Sequence, residues 1–315
     1  MDQPRVALVT THAARGLDED LPPLIEALQR AGAAVSVLDW DDADADWAAH
    51  DLALLRSTWD YTQRLAEFLA WVERAASATV LLNPPAILRW NTDKHYLGEL
   101  AQRGIAIVPS AFVEPGDDAA QALQRFVNAE GGGASDFEFV VKPCVGAGSR
   151  DAQRHGAEQF DAALAHLQSL LASGRSALLQ PYLARVDEHG ETALLWFEGE
   201  FSHAIRKGPL LQRHTAATRA LFAPEHITAR EPTTAELALA RKTLAAIPLA
   251  GPLLYARVDL IQDADGSPRL LELELSEPSL FFGHGAGSAD RLAAAILARL
   301  QAVRTTRSVT PTTAR

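Results

Sequence analysis

The amino-acid sequence predicts an α/β protein in which a parallel sheet is followed by antiparallel hairpins. In the first third of the chain, short apolar runs alternate with helical segments, which is typical of a parallel sheet with crossover helices. Further along, two pairs of alternating apolar and polar runs flank Glu198-Gly199 and Asp265-Gly266, a pattern typical of β-hairpins. The length of 315 residues allows two or three compact units.

Composition and charge exclude several classes of protein. Hydrophobic residues make up 48% and charged residues 22% of the chain, which is ordinary for a globular protein. The net charge of -11 argues against a nucleic-acid partner. The one cysteine, Cys144, excludes an intrachain disulfide and a cysteine-based zinc site. We expect a cytoplasmic protein without a membrane partner, because no apolar run approaches a membrane span and the first is too short for a signal peptide.

The amino-terminal strands and helices are predicted from the spacing of apolar residues and from glycines that end helices. The predicted strands are Val6–Thr10, Ala33–Leu38, Leu52–Leu55 and Thr79–Leu82, and the predicted helices are Leu21–Ala31 and Arg64–Ala76. Ligands bind beyond the carboxyl ends of parallel strands. Four candidate substrate contacts follow the third strand in this way: Ser57, Thr58, Trp59 and Asp60. The alternative is that these residues cap a helix.

The middle of the chain carries two lysines that are candidate phosphate ligands. The predicted elements are the helices Asn91–Arg103, Asp117–Ala129 and Gly156–Ser173 and the strands Val108–Val113, Phe137–Lys142 and Ala177–Leu183. Lys94 falls in a first helical turn, where an anion binds well, although this position alone favours a lysine that extends into water. Lys142 ends a strand just before the glycine-rich run 145–149, whose backbone N–H groups suit phosphate oxygens.

The hairpin around Asp265-Gly266 predicts an acidic patch. A turn centred there places Asp259 opposite Glu272 and Arg257 opposite Glu274, with side chains about 5 Å apart. Leu271, Leu273 and Leu275 would share the other face. Neighbouring carboxylates repel unless a cation neutralises them, and such oxygen ligands suit Mg²⁺. The alternative is an acidic face in water.

The other carboxy-terminal elements complete the prediction. The turn Glu198-Gly199 places Glu191 opposite Arg206, as a cross-strand ion pair. The polar segment Gly208–Glu231, with Arg213, His214 and Arg219, is a candidate lid. Thr233–Ile247 and Ala286–Val303 are predicted helices, and Thr305–Arg315 is predicted to be a disordered tail.

The order of these motifs resembles the ATP-grasp superfamily, particularly its glutathione-synthetase-like carboxylate–amine ligases. The motifs are, in order, Asp93-Lys94, Val140–Pro143 followed by Gly146–Ser149, Leu178–Leu183, Arg257-Val-Asp259 and Glu272-Leu-Glu274. The resemblance implies an amino-terminal α/β domain (1–108), a small ATP-grasp subdomain (109–182), a large one (183–303) and a tail (304–315). The two subdomains would clasp ATP.

The resemblance also implies roles for individual residues. The implied ATP contacts are Lys94, Lys142, Gly146, Gly148, Ser149, Gln180, Pro181, Tyr182, Leu183 and Glu191. Glu191, in preference to Asp187 or Glu188, would reach the ribose. The implied Mg²⁺ ligands are Asp259, Glu272 and Glu274, where the commoner pattern has Asn at the last position. Arg257 would steady the transferred phosphoryl group. Lys207 and Arg206 would hold the substrate carboxylate, and Trp59 and Asp60 would bind the substrate amine.

A narrower resemblance concerns three strings, Arg56–Tyr61, Asn91–Lys94 and Leu273–Leu280, which look like those of the D-cycloserine synthetases. This implies an ATP- and Mg²⁺-dependent ligase that activates a carboxylate as an acyl phosphate. The most specific form of this hypothesis is the cyclisation of O-ureido-D-serine. Another amino acid or peptide ligase, a kinase and a non-catalytic ATP-binding protein are the alternatives. The expected partner is a small amino-acid-like substrate, and the resemblance allows a homodimer.

Overall fold

The computed structural model describes residues 3–211, 226–248 and 253–309. Within these residues the strands form three sheets, each from a different stretch of the chain. No helix in the described ranges is both long and apolar enough to cross a membrane. In chain order the elements are β1 (Arg5–Thr10), α1 (Leu21–Arg30), β2 (Ala34–Asp39), β3 (Leu52–Ser57), α2 (Leu65–Ala78), β4 (Val80–Leu82), α3 (Pro85–Asn91), α4 (Tyr96–Gln102), β5 (Ala111–Val113), α5 (Ala119–Gly131), β6 (Glu138–Pro143), β7 (Gln153–Gly156), α6 (Phe160–Ala172), β8 (Ala177–Pro181), α7 (Val186–His189), β9 (Glu191–Phe197), β10 (Glu200–Lys207), β11 (Ile227–Ala229), α8 (Thr234–Ala245), β12 (Tyr255–Gln262), β13 (Pro268–Glu274) and α9 (Ser288–Val309).

The first sheet is parallel, as the alternation of strands and helices predicts. Its order is β2-β1-β3-β4. On one face of β1, Val6 and Leu8 share a hydrophobic cluster with α1. On the other face, Ala7 and Val9 cluster with α2. Because helices cover both faces, a ligand can approach this sheet only at its ends.

The second sheet is antiparallel and has the order β5-β8-β6-β7. Helices α5 and α6 pack on it through a cluster that includes Leu123, Leu167 and Phe139. Most predicted boundaries of these strands and helices lie within two residues of those observed, and two differ by more. Gln153–Gly156 pairs with β6 as a strand, so the helix predicted from Gly156 begins at Phe160. The strand predicted from Val108 begins at Ala111.

The third sheet is also antiparallel, with the order β11-β10-β9-β12-β13. Helix α8 packs against it with Ala240 and Leu237, and α9 packs against it with Leu292 and Ile296. Thr233 caps α8, because its hydroxyl accepts from the Glu236 N–H while the Glu236 carboxylate accepts from the Thr233 N–H. The strand β11 lies inside the segment predicted as a lid.

A β-bulge in the β12–β13 hairpin changes the face of the sheet on which one leucine lies. The predicted pairs are confirmed, since Asp259 lies opposite Glu272 and Arg257 opposite Glu274. The register then shifts, because Leu260 pairs with Leu270 and leaves Leu271 as the extra residue. Leu270 therefore takes the buried position, and the prediction that Leu271 shares the core face with Leu273 is wrong.

A second bulge changes the partner of Glu191. The register of β9 and β10 shifts between Phe201 and His203, so Glu191 lies opposite Lys207. The predicted pairing of Glu191 with Arg206 is wrong for this reason. One residue of shift turns alternate side chains to opposite faces of a sheet, and it moves Arg206 away from Glu191.

The helix predicted from Asn91 to Arg103 is two helices, α3 and α4. The Asn91 side chain does not cap a helix. Its amide donates to the Leu273 carbonyl and its oxygen accepts from the Leu275 N–H, both at 2.7 Å, and so it satisfies the edge of β13. Lys94 consequently lies in the turn between α3 and α4 instead of in a first helical turn.

Two predicted segments are described only in part. Of the candidate lid, residues 208–211 and 226–231 are described, and Arg213, His214 and Arg219 lie outside the described residues. Helix α9 extends to Val309 and so covers the first residues of the predicted tail, while residues 310–315 lie outside the description.

Candidate active site

One cavity is lined by residues from all three stretches of the chain. The amino-terminal stretch contributes Trp59 and Lys94. The second sheet contributes Lys142, the loop 146–150 and the segment 180–183. The third sheet and the segment after it contribute Glu191, Lys207, Arg257, Leu271, Glu272, Glu274, Glu277 and Ser279. The cavity therefore combines cations, carboxylates and a glycine-rich loop.

Asp259 lies behind the cavity wall, beneath two cations. It is 1% exposed and accepts hydrogen bonds from Lys207 Nζ and Arg257 Nη2, both at 2.8 Å. Burial alone would raise the pKa of Asp259, but these two cations outweigh burial and hold the pKa well below its usual range. Asp259 is therefore a fixed negative charge that orients Lys207 and Arg257.

Glu191 and Glu274 share those same cations and are less well neutralised. Lys207 Nζ also pairs with Glu191, and Arg257 Nη2 donates to Glu274 at 2.5 Å. Burial raises the pKa of Glu191 to about 7, against the attraction of Lys207. Burial, together with the nearby Glu272 and Asp259, raises the pKa of Glu274 to about 8 despite Arg257. A further cation at this position would stabilise both carboxylates.

Lys94 connects the acidic face of β13 to the glycine-rich loop. Its Nζ lies 2.9 Å from Glu272 Oε1 and donates to the Gly146 carbonyl at 2.9 Å. Its backbone N–H donates to the Cys144 carbonyl at 2.9 Å. Burial lowers the pKa of Lys94, but Glu272 outweighs burial and the pKa lies above its usual value. Burial likewise raises the pKa of Glu272, and Lys94 and Lys142 outweigh it, so this pKa is lowered.

Lys142 differs from the other lysines of the cavity because it forms no ion pair or hydrogen bond with any described residue through its side chain. Burial lowers its pKa to about 8. The loop that follows contains Gly148 and Ser149, both at positive φ, so the chain reverses tightly in front of this lysine. An anion of the size of a phosphate would satisfy the Lys142 ammonium.

The segment 180–183 forms another wall. Gln180 donates to Ser110 Oγ at 2.9 Å, and the Tyr182 N–H donates to the Glu138 carbonyl at 2.8 Å. The Arg154 guanidinium lies over the Tyr182 ring, 3.5 Å from its centre. Pro181 and Leu183 also line the cavity. This wall combines apolar and aromatic side chains with the Gln180 amide, which suits a planar heterocycle.

The chain is similar over nearly its whole length to a known biosynthetic protein. Residues 6–83 match the family described as D-cycloserine synthetase DcsG, N-terminal domain. The chain is 40% identical over 300 residues to the cycloserine biosynthesis protein DcsG of Streptomyces lavendulae, and the match covers 94% of this chain and 99% of that protein. The chain belongs to the DcsG family of ATP-grasp ligases.

Solved structures agree with this assignment. The crystal structure of D-cycloserine synthetase DcsG has a TM-score of 0.88 at 40% identity, covering 94% of this chain and 99% of that one. The ATP-grasp ligase PsnB complexed with minimal precursor, Mg and ADP has a TM-score of 0.61 at 19% identity, covering 94% and 98%. The D-alanine–D-alanine ligase from Bacillus anthracis has a TM-score of 0.66 at 14% identity, covering 96% and 99%. The last two show the fold alone. The predicted ATP-grasp fold is confirmed, and the membership of the DcsG family rests on the 40% identity to DcsG.

Most of the predicted site residues of this DcsG-family chain meet at the cavity. Those on its wall are Trp59, Lys94, Lys142, Gly146, Gly148, Ser149, Gln180, Pro181, Tyr182, Leu183, Glu191, Lys207, Arg257, Glu272 and Glu274. The donor chemistry fits the groups predicted to bind. Glu272 and Glu274 on the hairpin face suit Mg²⁺. Lys142, which pairs with none of the described residues, lies beside a glycine-rich loop and suits the phosphates of ATP.

Five predicted residues are placed elsewhere. Asp259 lies behind the wall, and the Arg206 guanidinium donates to the Glu188 and His189 carbonyls on the far side of β10. The Ser57 and Thr58 side chains are fully buried, and Ser57 Oγ bonds Thr10 Oγ1 at 2.8 Å. The Asp60 carboxylate accepts from Trp40 Nε1 and from Arg64. The structure thus contradicts the direct substrate roles predicted for Arg206, Ser57, Thr58 and Asp60.

Sequence reasoning missed Glu277, Ser279, Arg150 and Leu271, which all line the cavity. Leu271 reaches it only because of the bulge, which no local pattern indicates. Glu277 and Ser279 lie in the string Leu273–Leu280, which the narrower resemblance singles out. That resemblance was the signal that could have placed these two positions at the cavity.

Proposed function

We propose that this chain closes a ring within one amino-acid-like molecule, converting O-ureido-D-serine to D-cycloserine with ATP. One observation carries the proposal, namely the 40% identity to the cycloserine biosynthesis protein DcsG over almost the full length of both chains. The cavity supports it, because its charges suit a polyphosphate and a carboxylate that must be brought together.

In the first step, a substrate carboxylate oxygen attacks the γ-phosphorus of ATP and expels ADP. Lys94 and Lys142 hold the phosphate oxygens, and Arg257 lies beside them at the hairpin face. Mg²⁺ bound by Glu272 and Glu274, and by Asp259 if its cations shift, would neutralise the phosphate charge there. The product of this step is an acyl phosphate and ADP.

In the second step, the ureido nitrogen attached to oxygen attacks the acyl carbon and expels phosphate. Since acid and nucleophile belong to one molecule, folding it into a near-attack geometry replaces a bimolecular encounter. The product lacks the carbamoyl group, so water must also remove that group as carbon dioxide and ammonia. The acyl phosphate must be kept from water until the ring closes, and the glycine-rich loop and the segment 208–231 are the candidate lids. We place the enzyme in the cytoplasm, where ATP is available.

The test is phosphate release from Mg·ATP with O-ureido-D-serine, O-ureido-L-serine and a panel of amino acids, with products identified by mass. We expect D-cycloserine from the D-ureido compound alone. Phosphate release with a different acceptor would support the ligase activity and would overturn the proposed cyclisation of O-ureido-D-serine. A product that retains phosphate would indicate a kinase, and ATP binding without turnover would indicate a carrier.

A further inference from the structure

Glu277 is a buried carboxylate on the cavity wall that no predicted role uses. Glu277 is 7% exposed and lines the cavity together with Trp59 and Arg257. The Tyr61 side chain lies beside its carboxyl group. No lysine, arginine or histidine of the described ranges forms an ion pair with it. A buried carboxylate without a cation is unfavourable unless a ligand provides one.

The backbone around Glu277 is held rigidly by two parts of the fold. Trp59 Nε1 donates to the Glu277 carbonyl at 3.3 Å, and Arg56 Nη2 donates to the Pro278 carbonyl at 3.1 Å. The Tyr255 hydroxyl donates to the Ser276 carbonyl at 2.6 Å. Further along, the Asp20 carboxylate accepts from the N–H groups of residues 280–282. The backbone that carries the Glu277 carboxylate is therefore fixed before any ligand arrives.

The string Arg56–Tyr61 gains a physical explanation from these contacts. Its first, fourth and sixth residues, Arg56, Trp59 and Tyr61, all contact Glu277 or Pro278. The fifth residue, Asp60, points away and bonds Trp40 and Arg64. The string Arg56–Tyr61 therefore positions the carboxylate of Glu277. The carboxylate of Asp60, which belongs to the string itself, has no such role.

We propose that Glu277 binds the ammonium group of the substrate, with the Trp59 ring beside it. A carboxylate and an aromatic face together are suited to a primary ammonium, through a charge-assisted hydrogen bond and a cation–π contact. The inference rests on the proposed function, because it names the part of an amino-acid substrate that this wall selects. Arg257 lines the same cavity and its Nη1 donates to the Ser279 carbonyl at 3.2 Å, so a cation that suits the substrate carboxylate lies close to this wall.

The charge state of Glu277 is consistent with such a ligand. Burial raises the pKa of Glu277 to about 7, although Tyr61 and Lys94 oppose the shift. An ammonium ion bound beside it would favour the charged form and lower this pKa.

The test compares two acceptors that differ only in the ammonium group, O-ureido-D-serine and its desamino analogue 3-(ureidooxy)propanoate. Their affinities are measured by calorimetry on protein loaded with Mg²⁺ and a non-hydrolysable ATP analogue. We expect the wild type to prefer the amino compound by about 10- to 100-fold. Glu277→Gln keeps the shape and should bring the ratio close to one, with unchanged affinity for the ATP analogue. Glu130→Gln, an exposed glutamate on α5, is the matched control and should keep the wild-type ratio.

The outcomes separate this inference from the proposed function. If the ratio depends on Glu277 but no D-cycloserine forms, the ammonium site stands and the cyclisation is wrong. If D-cycloserine forms and Glu277→Gln keeps the wild-type ratio, the ammonium site is wrong. A wild type that binds both compounds equally, or neither, overturns the inference even if Glu277→Gln fails to fold.

Discussion

At the scale of single residues, the carboxylates of the hairpin face are distinguished by their cationic partners. Asp259 has two cations and a lowered pKa, Glu272 has Lys94 and a lowered pKa, and Glu274 shares Arg257 and has a pKa of about 8. Glu272 is thus the carboxylate of the hairpin face on the cavity wall whose charged form its neighbouring cations favour. We expect the proposed metal site to depend on it most.

Glu272→Gln should reduce ATP turnover by about 100-fold or more, since it removes an ionised ligand at the position of phosphoryl transfer. The side-chain volume is unchanged but Lys94 loses its anionic partner, so the protein should stay folded with a melting temperature a few degrees below that of the wild type. Phosphate release and thermal unfolding check both statements. Glu200→Gln, an exposed change at the start of β10, is the control. Retained activity in Glu272→Gln would mean that the acidic face only contacts water.

Lys142 gives a pH-dependent prediction. Its ammonium should bind phosphate only when protonated, and its pKa is about 8. Affinity for ATP should therefore be full below pH 8 and should fall as pH rises through 8, by about tenfold between pH 7 and pH 9. The measurement is ATP binding in EDTA, which removes the contribution of metal. Lys142→Ala should weaken binding by about 2 kcal/mol at pH 7 and should flatten this part of the profile. An unchanged affinity in this variant would exclude the phosphate role.

The single residues were only partly predictable from the sequence. Lys142 follows from a strand that ends before glycines, and Asp259 and Glu272 follow from alternation about a turn. Glu277 could not be found in this way, because its position depends on Trp59 and Tyr61, more than 200 residues earlier in the chain. Asp60 was assigned to the site wrongly because adjacency to Trp59 says nothing about which side of a 3₁₀ turn faces the cavity.

At the scale of elements, the two bulges determine which side chains reach the site. The bulge near His203 brings Lys207 opposite Glu191, and the bulge at Leu271 turns that leucine toward the cavity. A bulge has no strong local sequence signature, since it depends on how the strand fits its neighbours. The sequence therefore predicts both hairpins and the metal-facing pairs but not the partner of Glu191.

The start of β9 offers a test of how tightly Glu191 and Lys207 are held. Gly190 has φ +70°, and a Cβ there would lie 2.4 Å from the Lys207 carbonyl oxygen. Gly190→Ala should lower the free energy of unfolding by about 2–4 kcal/mol. It should also reduce turnover, because relief of the clash moves Lys207.

Gly174 is the matched control for Gly190. It has a similar φ of +77°, but nothing lies within 4 Å of a Cβ placed there. Gly174→Ala isolates the cost of the left-handed backbone and should destabilise the protein by only about 1 kcal/mol. Chemical denaturation of both variants gives the comparison. Equal destabilisation would show that the contact with Lys207 is unimportant.

At the scale of the whole molecule, the site exists only where the three sheets meet. Asn83 and Asn91 connect the amino-terminal stretch to β12 and β13, and Lys94 connects it to the glycine-rich loop. The order of the motifs along the chain predicted this architecture through its resemblance to the ATP-grasp superfamily. The proposed domain boundaries and a homodimer stay predictions.

The measurement that tests the central claim most directly follows oxygen from substrate to phosphate. O-ureido-D-serine labelled with ¹⁸O in its carboxylate is turned over with Mg·ATP, and the released phosphate is analysed by mass. An acyl phosphate transfers one carboxylate oxygen to phosphate when nitrogen attacks the carbon, so we predict one ¹⁸O in each phosphate released. Release of unlabelled phosphate together with labelled cycloserine would contradict activation of the carboxylate, and with it this account of the cavity.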